Sequence, residues 1–111
     1  MEITEVDVPE FLVLNESHNL DVTFSRADSC TFFQGFDVFT EENGRTTVIA
    51  IGSVLTEEEC NAGQESLNSI VTLLVEYQVP FYQLRFYSGE DEAGNPTYLE
   101  YNVPVVDGIN Q

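Results

Sequence analysis

Strict alternation near the C-terminal end constrains this chain more than any other feature. Tyr82, Leu84 and Phe86 alternate with Gln83, Arg85 and Tyr87, and Leu99, Tyr101, Val103 and Val105 alternate with Glu100, Asn102 and Pro104. A side-chain period of two puts each apolar set on one face of a strand. Residues 88–96 between them are Ser, Gly, Glu, Asp, Glu, Ala, Gly, Asn and Pro, a composition that breaks strands and helices alike, so the two strands form a hairpin. Pro104 donates no ladder hydrogen bond, which places it at a sheet edge or facing out of the ladder.

A second hairpin is expected from residues 30–39 and 45–55, with Glu41, Glu42, Asn43 and Gly44 as the turn. Asn-Gly favours a tight two-residue turn because both residues accept positive φ. Centred between Asn43 and Gly44, paired positions sum to 87. Further strands are expected at 3–8, 20–25 and 70–77, with Pro9 and Pro80 as punctuation. Thr56 with Glu59 three residues on has the form of a capping box, which predicts one short helical turn near residues 56–62. About seven antiparallel strands with regular turn signals predict an all-β sandwich over residues 1–111, in one domain. The inward residues are expected to include Leu20, Val22, Phe24, Phe36, Ile49, Leu73, Leu84, Phe86, Leu99, Tyr101 and Val103.

Charge removes several functions. Twenty acids against three Arg and no Lys leave a net charge of −17 over 111 residues. Nucleic-acid binding needs clustered cations to displace counterions from phosphates, and anionic membranes repel this chain in the same way. The hydrophobic share of 42 % is nonetheless high enough to build a core. The acidity reads either as adaptation to salt, which screens carboxylate repulsion, or as a field that steers a cationic partner. No stretch approaches the roughly 20 apolar residues of a membrane span. The N-terminus lacks the basic and apolar regions of an export leader, so Met1 is read as standing where such a leader has been removed.

Cys30 and Cys60 make one pair at most. The expected register sets Cys30 opposite Glu57, three residues short of Cys60, near enough for a chain that curls back through a helical turn. A bridge closing a loop of roughly 30 residues contributes about 3 to 4 kcal/mol by loop entropy, and such bridges persist outside the cytosol. The alternative is two unrelated buried thiols in a cytosolic protein. Zinc is a poor competitor, because two Cys and one His do not fill four positions and no Cys-x-x-Cys spacing exists.

The stretches Val6-Asp7-Val8-Pro9, Leu14-Asn15-Glu16 and Leu20-Asp21-Val22-Thr23-Phe24, the two cysteines, and the run from Phe81 to Tyr101 together resemble uncharacterised immunoglobulin-like domains of secreted lipoproteins from Bacteroidetes-type bacteria. That group tends to end in an aromatic strand, a Gly-Lys-Asp-x-x-Gly hairpin and a closing strand. This chain departs from it with Glu90 in place of Lys and with Pro80-Phe81-Tyr82 at the strand entry. The resemblance implies an immunoglobulin-like sandwich at the bacterial envelope, in the periplasm or on the outer membrane, with a lipid-bearing Cys upstream and no assigned role.

Catalytic constellations are thin. The single His, His18, lies in the polar stretch Asn15-Glu16-Ser17-His18-Asn19 and reads as a solvated loop residue; Ser17 beside it makes no dyad, because sequence neighbours in an extended segment point to opposite faces. Abundant acids alone do not make the paired carboxylates of a glycosidase, so no enzyme is expected. Glu90, Asp91, Glu92 and Asn95 place four oxygen-bearing side chains within six residues, a set calcium accepts. A hairpin tip kept soluble by charge is the plainer account. Tyr87 and Tyr98 fall on the outward phase of their strands and face each other across the last hairpin, either as a contact patch for a protein or glycan or as a cross-strand pair that stabilises the hairpin. The expected function is a non-catalytic binding, spacer or structural module, with a calcium-binding or adhesion module using the 90–95 loop as the alternative.

Overall fold

The computed structural model describes residues 1–28, 30–54 and 62–106, and the side chains of all of these except 27, 28 and 62–64. They form eight strands: β1 (Glu2–Asp7), β2 (Leu12–Val13), β3 (Ser17–Asp28), β4 (Thr31–Thr40), β5 (Arg45–Val54), β6 (Ala62–Leu74), β7 (Phe81–Glu90) and β8 (Pro96–Val106). No helix occurs among the described residues. The helical turn expected near 56–62 falls outside them, except for Ala62, which opens β6. The strands build the expected all-β sandwich from a three-stranded sheet, β1-β3-β6, and a five-stranded sheet, β2-β8-β7-β5-β4.

Seven strands match the expected ones, and the two-residue β2 is additional. Two ladders are parallel where antiparallel pairing was expected throughout: β2 with β8, and β5 with β7. Both follow from chain crossings between sheets. The chain leaves β5 for β6 in the other sheet and returns as β7, and a crossover of that kind brings a strand back in the same direction. Between β1 and β2, Pro9 removes a ladder donor, and the chain passes to the other sheet. β2 covers β8 only at Val105 and Val106, so Pro104 lies in a strand that is an edge over most of its length.

The core forms where the inner faces meet. Leu20, Val22 and Phe24 of β3, Val71 and Leu73 of β6, and Ile3 and Val6 of β1 pack against Val48, Ala50, Tyr82, Leu84, Phe86 and Val103. Phe24 stacks at 4.5 Å from Phe33, and Phe36 meets both rings edge-on at 5.9 and 5.0 Å, which ties β4 to β3 across the sandwich. Phe36, Leu99 and Tyr101 are half-buried against this core. Ile49, expected inward, lies on the opposite face, because Thr46, Val48 and Ala50 take the inward phase of β5.

The β4–β5 turn corrects the expected register. Gly44 N–H donates to Glu41 C=O at 2.9 Å and Glu41 N–H to Arg45 C=O at 2.9 Å, so a four-residue turn ends in Gly44 at φ 89°. Asn43 keeps negative φ and uses its Oδ1 to accept the Arg45 N–H at 3.0 Å. A turn with both central residues at positive φ is therefore not what forms. Pairs such as Phe39 with Thr47 sum to 86 rather than 87, and a bulge between Phe33 and Gly35 removes one more, leaving Thr31 opposite Val54 where Thr56 was expected. The β7–β8 turn repeats the geometry at Asp91 and Gly94, with φ 84° at Gly94.

Tyr82 anchors the approach to β7. It is fully buried, and its hydroxyl accepts the backbone N–H groups of Glu76 and Tyr77 at 3.1 and 3.0 Å. These two bonds tie the start of the penultimate strand to the chain just upstream.

Candidate functional site

Alternation turns Gln83, Arg85 and Tyr87 of β7 and Tyr98, Glu100 and Asn102 of β8 to the outer face of the five-stranded sheet. Tyr87 pairs directly with Tyr98, as the sequence suggests, with ring centroids 6.1 Å apart at 73°. Arg85 lies diagonally across the ladder and lays its guanidinium 4.0 Å over the Tyr98 ring. Its Nε is 3.7 Å from Glu100 Oε2, which also accepts the Gln83 amide at 2.8 Å. A cation over an aromatic face gains roughly 0.5 to 1 kcal/mol at exposed sites and more when desolvated. Burial first, then the charges of Glu90 and Glu2 and the neighbouring Tyr98, push the Tyr87 phenol upward, which keeps it neutral further into the alkaline range. Arg45 stands beside Gln83 on the same face, so two of the three Arg gather here.

The edge-on Tyr pair and the cation over one ring are contacts that also stabilise the hairpin itself. A sugar ring stacks on an open, flat aromatic face, whereas one face of Tyr98 lies under Arg85 and Tyr87 stands nearly perpendicular to it. Tyr and Arg packed in this way, with Glu and Gln at the margin, have the composition of protein contact surfaces.

In the 90–95 loop, Asp91 is committed to the turn. Its Oδ1 accepts the N–H groups of Ala93 and Asn95, each at 2.9 Å. Hydrogen bonds from the Asn95 backbone foremost hold this carboxyl below the usual Asp range. Glu90, Glu92 and Asn95 remain exposed. Among the described residues no three His, Cys, Asp or Glu side chains converge as metal ligands do.

Cys30 is buried, with 3 % exposure, immediately before β4, and Cys60 lies outside the described residues. His18 is not in a loop. It sits half-buried in β3, where its Nε2 accepts the Val13 N–H at 2.9 Å and so holds β2 in place. That bond gives His18 a positioning role that a lone polar-stretch His does not reveal in sequence.

A second acidic group escapes the sequence because register creates it. Asp7 and Asp21 stand directly opposite each other on β1 and β3, and with Glu5, Thr23 and Asn68 they line a shallow recess of about 400 Å³. Like charges in that relation repel, so the recess repels anions. Comparison of the chain with protein-family models, with curated proteins and with solved structures found no match.

Proposed function

We propose that this chain is a non-catalytic, extracytoplasmic binding or spacer module of a bacterial envelope lipoprotein, whose contact face is the outer surface of the five-stranded sheet. The Arg85, Tyr87 and Tyr98 constellation carries the binding part, because it gathers aromatic surface and cations on one face of a chain otherwise dominated by carboxylates. It favours a protein over a glycan as the partner. The elongated body, 56 × 28 × 19 Å, supports the spacer part, since strands of ten to thirteen residues set a length well beyond the sheet thickness. The burial of Cys30 is compatible with a bridge to Cys60, and a lipid anchor upstream follows from the lipoprotein resemblance alone. The 90–95 loop is the alternative contact, through Glu90, Glu92 and Asn95.

Fractionation of cells producing the full-length protein from its own gene tests the reading. The chain belongs in the envelope fraction, accessible to a membrane-impermeant carboxyl label once the outer membrane is opened. Recovery in the cytosol would end it.

A further inference from the structure

Among the described residues no strand pairs with the outer edge of β4, the terminal strand of the five-stranded sheet, along Phe36 to Thr40. A regular edge is a template for another strand, and monomeric proteins blunt such edges with Lys, Pro, bulges or inward charges. β4 has no Lys and no Pro, and Asp37 is its one charge. The bulge at Gly35 leaves Phe36 to Thr40 as a regular stretch. Because Glu41 N–H bonds Arg45 C=O, the alternation of an antiparallel ladder turns the backbone groups of Thr40, Val38 and Phe36 away from β5.

Apolar surface and charge point to the same edge. Phe32, Val38 and Phe39 on β4 and Ile51 and Val54 on β5 are exposed, Phe39 at 58 % and Val54 at 61 %. β4 and β5 together contain one acid, Asp37, and one base, Arg45, so they carry no net charge in a chain of −17. The entire charge excess lies elsewhere.

We propose that β4 pairs with β4 of a second copy of this chain, antiparallel about a two-fold axis, joining two five-stranded sheets, and that ionic strength sets how much of this dimer forms. β4 with β5 carries no net charge, so this edge opposes its own copy far less than the acid-rich remainder of the chain does, and a two-fold contact brings the same apolar stretch onto itself. A standard interface takes about 800 Å² from each partner, about 11 % of the 7057 Å² surface, and the exposed apolar side chains of β4 and β5 are the surface that would contribute to it. The acids outside the contact oppose association at long range. Salt removes that opposition as the screening length falls from about 30 Å at 0.01 M to about 3 Å at 1 M.

Sedimentation equilibrium of the full chain at these two salt concentrations tests the proposal. A monomer at low salt and a dimer at high salt are expected, with Phe39→Lys and Val38→Lys each weakening the dimer roughly tenfold or more, about 1.4 kcal/mol or more. Ile70→Lys, at a residue 56 % exposed on β6, should leave the dimer intact. Thermal melts check that each variant folds. A monomer at both concentrations overturns the proposal, as does a dimer that survives both β4 substitutions or yields equally to Ile70→Lys.

Discussion

Replacing Tyr82 by Phe removes one oxygen and nothing else from the core. The ring stays among Leu84, Phe86 and Val103, so no cavity opens, but the N–H groups of Glu76 and Tyr77 lose their acceptor. Leaving a buried donor unsatisfied costs about 1 to 3 kcal/mol. Both donors are only partly buried, and water can reach them in part, which sets the total near 2 kcal/mol. Unfolding entropy of about 2.1 cal/mol/K per residue over 111 residues makes each kcal/mol worth about 4 °C. Tyr82→Phe should therefore lower Tm by about 8 °C, read by circular dichroism or calorimetry. Amide exchange gives an independent reading, since protection at Glu76 and Tyr77 should fall while that of β3 residues paired with β6 is unchanged below the global limit. A Tm loss under about 2 °C with exchange unaltered would refute the assignment of the hydroxyl as the tie holding this approach to β7.

Asp21→Asn removes the like-charge partner of Asp7, so Tm should rise at low salt by an amount corresponding to about 0.2 to 1 kcal/mol, and the gain should vanish near 1 M salt, where screening is complete within about 3 Å. Gly44→Ala should cost more than Gly94→Ala: both residues hold positive φ, but a Cβ at Gly44 would meet Phe81 O at 2.8 Å whereas one at Gly94 meets nothing within 4 Å; equal Tm losses would contradict this. The depressed Asp91 carboxyl contributes stability above the ordinary Asp range and loses it as pH falls through the folded-state value, so the Tm gap between wild type and Asp91→Ala should narrow on acidification from pH 6 toward pH 3. Millimolar calcium should raise Tm no more than magnesium at equal ionic strength, because Asp91 Oδ1 is already occupied by two N–H groups.

Legibility followed how local the determining physics is. Tyr82, Leu84 and Phe86 against Gln83, Arg85 and Tyr87 declare a strand through period alone, and with the acidic turn they also bring Tyr87 opposite Tyr98. The β4–β5 turn was misread by one residue because Asn-Gly suits two turns, and the one that forms uses the Asn43 side chain as an acceptor. The Gly35 bulge adds a second slip, and Ile49 takes the opposite face because residues 48–51 are all apolar and carry no phase. The parallel pairing of β5 with β7, the bond between His18 and Val13, and the Asp7–Asp21 pair all depend on which distant strands become neighbours. Arg85 over Tyr98 required knowing that one ladder position separates them diagonally.

The central claim is that this sandwich works outside the cytosol, and the state of Cys30 and Cys60 tests it most directly. The protein should be taken from its producing cells, alkylated before any reductant is added, and weighed intact and as peptides. A protein that works outside the cytosol should show no alkylation and a cross-linked peptide pair that separates on reduction. Two alkylated thiols would contradict it.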